Sequence, residues 1–222
     1  MLFRSSTQAG IARALERGAQ MILKTRTDIA ILAGDVFEQA AWWLRAVGHD
    51  AARAGGLVER LIVPSSFTRK YLLYHPSDLV MLGTANDMAR YWAAPLDTRE
   101  GTLLSPERRR QPLAAVNLDG NPAECYLGLH FCESLGRTVE GTLADSWAFY
   151  RDLFAVVDNR WFDLLWLKNL SIPDAATTSG PRQLLSQHDW QALAAGGDLR
   201  ATESGAVSPD EVTLGAIGGG WC

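Results

Sequence analysis

The sequence predicts an α/β fold. Helices and short strands alternate along the chain, apolar runs sit between glycine, proline and cap residues, and there is no internal repeat. That pattern suits a layered α/β or α+β architecture.

The first helix is expected over 5–19. Ser5, Ser6 and Thr7 offer N-cap oxygens, and Ile11, Leu15 and Ala19 recur at spacings of four on one face. Gly18 is a terminator. Residues 21–24 form a short strand, with Asp28 just past it. A second helix follows over 35–47, carrying Trp42 and Trp43 and turning at Gly48. Residues 57–63 read as a strand stopped by Pro64, and 71–74 as another. The apolar run 78–82 ends at Gly83. Thr84 then caps a helix reaching Trp92, with Asp87 three residues on, close to a capping box.

Residues 93–120 are rich in proline, glycine and charge and read as a long loop, a type often tied to function. Asn121 caps the next helix, which runs to about Ser134 with Pro122 at its first position. A helix over 145–153, a strand over 154–157 ending at Asp158, an aromatic-rich apolar stretch over 161–167 and a last helix over 183–195 complete the body. From Gly196 onward Gly, Ser and Thr dominate, which predicts a poorly ordered tail. The expected organisation is therefore one domain over 1–195 and a tail over 196–222.

Composition narrows the function classes. With 47% hydrophobic and 21% charged residues, the 222-residue chain is globular rather than disordered. A net charge of -4 gives no basic field for nucleic acid. Arg108, Arg109 and Arg110 cluster, read first as a solvated loop and second as a phosphate or anionic-membrane contact. Cys125, Cys132 and Cys222 lack disulfide-framework or zinc spacing. Cys125 and Cys132 share a helix face and read as small buried residues. His49, His75, His130 and His188 are scattered. There is neither a bilayer-length apolar run nor a signal-peptide core, so the expected location is the cytoplasm, with peripheral association at the membrane's inner face.

The most informative run is Lys24-Thr25-Arg26-Thr27-Asp28. It places an acidic residue and two cations at the carboxyl end of a strand, where open α/β sheets bind ligands. Asp28 can hold Mg²⁺ or Mn²⁺, and Lys24 and Arg26 can offset phosphate charge. The alternatives are a turn cap for Asp28 and surface ion pairs for the cations. No second carboxylate stands two residues before Asp28, since Arg26 occupies that position.

Four segments together resemble the WavE lipopolysaccharide-synthesis family of glycosyltransferases. They are Arg4 to Ile11 leading into Leu23-Lys24-Thr25-Arg26-Thr27-Asp28; Pro76-Ser77-Asp78 through Gly83 with Asn86-Asp87-Met88 and Trp92; Pro122-Ala123-Glu124-Cys125-Tyr126-Leu127; and Val156 to Phe162. The resemblance covers roughly residues 3–168. It implies a glycosyltransferase A-type, Rossmann-like sheet flanked by helices, a nucleotide-sugar donor, and a lipopolysaccharide, surface-glycan or lipid-linked glycan acceptor. It also implies a first strand for which this sequence has no counterpart, so a shortened chain is expected.

On that resemblance Arg4, Lys24 and Arg26 contact the donor diphosphate and Asp28 holds the metal. A metal there stabilises the charge developing on the leaving diphosphate. Glu124 is the candidate general base toward an acceptor hydroxyl; its alternative is a helix-start cap three residues after Asn121. Asp78 joins the nucleotide-sugar-binding set, lining the acceptor side or fixing a turn, and Asp158 and Asn159 are read the same way. Trp161, Phe162 and Trp166 stack on sugar rings or fill the core, with core favoured.

Three functional readings follow. The first is metal-assisted glycosyl transfer. The second is a non-catalytic binding or scaffold module in surface-polysaccharide assembly. The third is metal-dependent phosphoryl transfer or hydrolysis using Asp28 with Asp78 or Asp158.

Overall fold

Two fully buried apolar strands organise the molecule. They are β3 (Leu61–Pro64) and β5 (Phe154–Val157), paired in parallel with Leu61 opposite Phe154 and Pro64 opposite Val157. Every residue of both is buried, as expected of parallel strands covered on both faces. A computed structural model of the chain describes residues 2–97, 107, 122–167 and 183–199.

The remaining strands of the main sheet are β1 (Met21–Lys24) and β4 (Met81–Thr84). The four-stranded order is β1-β4-β3-β5, with β4 antiparallel to both neighbours. A separate antiparallel pair joins β2 (Ile29–Ile31) to β6 (Leu164–Trp166). The architecture is thus α/β, a mixed sheet flanked by helices and compatible with a Rossmann-like fold.

Helix α1 (Leu2–Glu16) packs on β1 and on α4 (Ala85–Tyr91). Helix α2 (Val36–Val47) buries Val36, Ala40 and Leu44, and Gly48 ends it at φ 74°, a left-handed conformation that glycine adopts without steric cost. A short α3 (Asp50–Ala54) follows. Helix α5 (Ala123–Ser134) packs on α4. Both α6 (Leu143–Leu153) and α7 (Gln187–Ala194) lie on β5.

Local signals explain the helix starts. The Thr84 hydroxyl oxygen accepts from the Asp87 amide at 3.2 Å, so the expected cap of α4 forms. Asp87 is itself buried and accepts from the amides of Val58 and Glu59 at 3.1 and 3.0 Å, tying α4 to the approach to β3. Ser186 and Asp189 complete a capping box on α7. The second oxygen of Asp189 accepts from buried Lys70 at 3.1 Å.

Several boundaries differ from the sequence expectation. Helix α1 begins at Leu2, so Ser5, Ser6 and Thr7 lie inside it rather than capping it. The strand expected over 57–63 is shorter and extends to Pro64, as Leu61–Pro64, and β4 (Met81–Thr84) takes up only the end of the apolar run 78–82. Residues 71–74 are not a strand; they are buried turns in the connection from β3 to β4. Pro122 occupies the N-cap of α5 rather than its first helical position, and Asn121 lies outside the described residues. The last helix is shorter than expected, starting at Gln187. Leu199 is buried, so the packed body reaches past residue 195. Most of the 93–120 loop, Arg108 to Arg110, and the tail beyond residue 199 lie outside the described residues.

Candidate functional site

Strands β1, β3 and β5 end, and β4 begins, at the same end of the main sheet. The register requires this: Lys24 faces Met81 across β1–β4, and Pro64 faces Val157 across β3–β5. The connections leaving that end carry Lys24, Arg26, Asp28, Arg69, His75 and Asp78. The start of α5 adds Glu124.

The connection between β3 and β4 is unusual for a loop because nearly all of residues 65–77 are buried. A buried loop must find partners for its backbone polar groups. Here side chains supply many of them. The Ser65 amide donates to Val157 O at 2.7 Å, extending the ladder past β3. The Thr68 hydroxyl donates to Pro64 O at 2.7 Å and accepts from the Ser77 amide at 3.1 Å. The Tyr150 hydroxyl accepts from the His75 amide at 2.8 Å and donates to Arg69 O at 3.2 Å. Ser146 accepts from the Tyr74 amide at 3.0 Å, and Trp147 donates to Lys70 O at 2.9 Å. Helix α6 therefore clamps this connection at successive points. Phe67 and Tyr74 have positive φ, 63° and 54°, which non-glycine residues hold only when surroundings over-determine them.

Gly128 brings α5 against the same connection. A Cβ at this position would lie 2.4 Å from the Tyr74 carbonyl oxygen. The missing side chain lets the helix approach closely enough to bring Glu124 to His75, whose Nε2 lies 3.6 Å from Glu124 Oε2.

Asp28 is held on both oxygens. Arg26 Nε donates to Oδ1 at 2.9 Å and Nη2 to Oδ2 at 3.1 Å, a bidentate pair. Trp166 Nε1 donates to Oδ2 at 3.1 Å. The Arg26 hydrogen bond leads in holding the Asp28 carboxyl down at about 2. Trp166 also meets Phe67 edge-on at 5.6 Å, and the Arg69 guanidinium lies 5.4 Å from the Phe67 ring centre. An aromatic chain thus links Arg69 to the Arg26–Asp28 pair.

The other groups are strongly desolvated. Lys24 Nζ donates to Asp78 O and lies 5.0 Å over the Trp92 ring. Burial lowers the Lys24 pKa, with the Asp78 charge opposing. Burial raises the Asp78 carboxyl, and Glu124 adds to the rise. Glu124 keeps about 25% of its side chain exposed, yet desolvation still raises its carboxyl. Burial, seconded by the Arg69 charge, lowers His75 to about 4, so its imidazole is neutral at pH 7. Tyr91 Oη is buried with no hydrogen-bond partner among the described residues, and it lies in the field of Asp78 and Glu124. Cations, neutral imidazole and reluctant carboxylates in one place can bind an anion and exchange a proton.

Of the residues expected from sequence, Lys24, Arg26, Asp28, Asp78 and Glu124 come together at this end. The Arg4 side chain lies outside the described residues. Asp158 faces the start of α7, where its carboxylate accepts from the Gln187 amide at 3.3 Å. Asn159 accepts from the Ser66 amide at 3.3 Å and from the Ser66 hydroxyl. Phe162 is core and Trp161 is partly buried. Cys125 and Cys132 are buried, as expected. Arg69, His75, Tyr91 and Tyr150 are the members that sequence reasoning missed. They are single residues without a local pattern, and only the tertiary fold brings them together.

A cavity of about 540 Å³ lies at the opposite end of the sheet, between the end of α1, α2 and the start of β1. Leu15, Met21, Leu44 and Val58 line it beside the His49–Glu59 pair, and Lys24, Arg26, Asp28, Asp78 and Glu124 do not. Among the described residues Arg45 is the only cation lining it outside the His49–Glu59 pair, whereas the polar end gathers Lys24, Arg26 and Arg69 and is the stronger candidate.

Among the described residues no three His, Cys, Asp or Glu side chains converge to hold a metal ion, and no helix is long and apolar enough to cross a membrane. No family model, curated protein or solved structure matches the chain.

Proposed function

We propose that the chain is a glycosyltransferase-like protein of the WavE type, transferring a sugar from a nucleotide sugar to a lipopolysaccharide or other surface-glycan acceptor. One observation supports this reading above the rest. Three separate stretches of chain meet at one end of a mixed sheet: Lys24 donates to the Asp78 carbonyl, Arg26 forks onto Asp28, and Glu124 reaches His75 at 3.6 Å.

In this reading Lys24 and Arg26 offset the charge of the donor diphosphate, with Arg4 as a further contact. Glu124, with its raised pKa, accepts the proton of the acceptor hydroxyl as that oxygen attacks the anomeric carbon and the nucleoside diphosphate leaves. Direct displacement of this kind inverts the anomeric centre. Asp78 fixes Lys24 through its carbonyl and lines the acceptor side. Acceptor encounter at the inner face of the cytoplasmic membrane belongs to the same proposal.

The test is release of nucleoside diphosphate from a panel of nucleotide sugars in the presence of lipopolysaccharide or lipid-linked acceptors. Glu124→Gln is expected to lower turnover by about 10²–10⁴-fold while donor binding survives. Because the fold disfavours the Glu124 charge, the same variant is expected to melt at a higher temperature. Donor binding without turnover across the panel favours the second reading, a non-catalytic binding module. The engaged state of the Asp28 carboxylate is the observation on its side.

A further inference from the structure

A divalent cation needs carboxylate oxygens with lone pairs to spare and a surrounding that welcomes positive charge. The residues here do not fit that demand. The Asp28 oxygens receive N–H groups from Arg26 at 2.9 and 3.1 Å and from Trp166 at 3.1 Å. An ion added there would sit beside the Arg26 guanidinium and be repelled by it. Asp78 and Glu124 are the next carboxylates, and both lie in the field of Lys24 and Arg26.

The same residues fit an anion. Lys24 is anchored by the Asp78 carbonyl and the face of Trp92. Arg26 is oriented by its fork on Asp28, and Arg69 by the face of Phe67. The Trp166–Phe67 contact fixes these two arginines relative to each other. Cations held by packing and hydrogen bonds are pre-organised, so little order has to be imposed when a phosphate arrives.

We propose that this site binds the diphosphate of its ligand without a divalent cation, the positive charge coming from Lys24, Arg26 and Arg69 of the chain itself. Asp28 is then a positioning residue that aims Arg26, and Trp166 locks Asp28. The proposal rests on the nucleotide-sugar reading of the site.

The test is isothermal titration of the full chain with UDP, GDP, CDP, ADP and dTDP, each in EDTA and in Mn²⁺. The expected result is one nucleoside diphosphate whose affinity agrees within about twofold in the two buffers. Arg26→Gln is expected to weaken that binding by about tenfold or more in EDTA. Asp28→Asn, checked for a cooperative melt, is expected to retain binding in EDTA, reduced only by the looser aim of Arg26. Binding that needs Mn²⁺ and disappears in Asp28→Asn would overturn metal independence and leave the donor reading standing. Binding indifferent to Arg26→Gln would overturn the assignment of charge to the arginine. Failure of every nucleoside diphosphate to bind a folded sample would overturn the nucleotide-sugar reading, and this inference with it.

Discussion

Replacing Tyr150 by phenylalanine takes one buried oxygen out of the clamp between α6 and the β3–β4 connection. The ring stays, so its contacts with Phe149 and Phe154 are unchanged. What goes is the acceptor for the His75 amide and the donor to Arg69 O, at 2.8 and 3.2 Å. A buried amide stripped of an acceptor costs about 1–3 kcal/mol, and the weaker bond to the carbonyl about 0.5–1.5 kcal/mol more. The expected destabilisation is therefore about 2–4 kcal/mol. For a chain of this size that corresponds to a fall in Tm of roughly 5–15 °C. Urea unfolding followed by far-ultraviolet circular dichroism and tryptophan fluorescence measures it, with the m-value expected to hold because the surface exposed is the same. A loss below about 0.5 kcal/mol, within the range of neutral surface changes, would refute the claim that α6 holds this connection through Tyr150.

Two further outcomes follow from the same geometry. Gly128→Ala sets helix propensity against packing. Alanine favours an isolated helix by about 1 kcal/mol, but its Cβ would meet Tyr74 O, a backbone atom that cannot swing aside. Net destabilisation of about 1–3 kcal/mol in a urea melt is expected, and a gain would show that α5 does not press on the connection. The pH dependence follows from His75, which is neutral in the fold down to about 4 beside Arg69, Asp78 and Glu124. Between its ordinary value of about 6.5 and that point, the unfolded chain binds a proton that the folded chain refuses. Stability is therefore lost as pH falls through this window, by about 3 kcal/mol from this residue. The raised carboxyls of Asp78 and Glu124 work in the opposite sense. The difference between wild type and His75→Gln in urea midpoints from about pH 7 to 4 isolates the histidine. An unchanged slope in the variant would refute its buried neutral state.

Much of the fold was legible wherever a local signal decided the outcome. Residues 21–24 and 154–157 form the expected strands because short apolar runs bounded by polar residues had a sheet to join. The Thr84–Asp87 cap formed because both partners lie within one turn. Residues 71–74 misled because burial and strand pairing look alike in sequence. Tyr-Leu-Leu-Tyr is buried as a strand would be, but the Tyr74 amide donates to Ser146 of α6 and the Leu73 carbonyl accepts from the Cys125 thiol. The β2–β6 pair escaped notice because its partners meet only after a long excursion of chain. The candidate site divides in the same way. Lys24, Arg26 and Asp28 stand together in one run, whereas Arg69, His75 and Tyr150 acquire meaning only once α6 is in place.

The Asp28–Trp166 contact spans 138 positions, and β2 pairs with β6 over a similar distance. Contacts of such high order are slow to form, because the intervening chain must be gathered first. On the ribosome the delay is set by synthesis itself. At about 5–20 residues per second, roughly 7–30 s separate the emergence of Asp28 from that of Trp166. Throughout that interval Asp28 lacks its Trp166 clasp and β2 its β6 partner, so the nascent chain carries Lys24, Arg26 and Asp28 without the finished shape of the site. On the proposed anion-binding reading, the site is complete only late in biosynthesis, when residues 164–167 have emerged and close against β2.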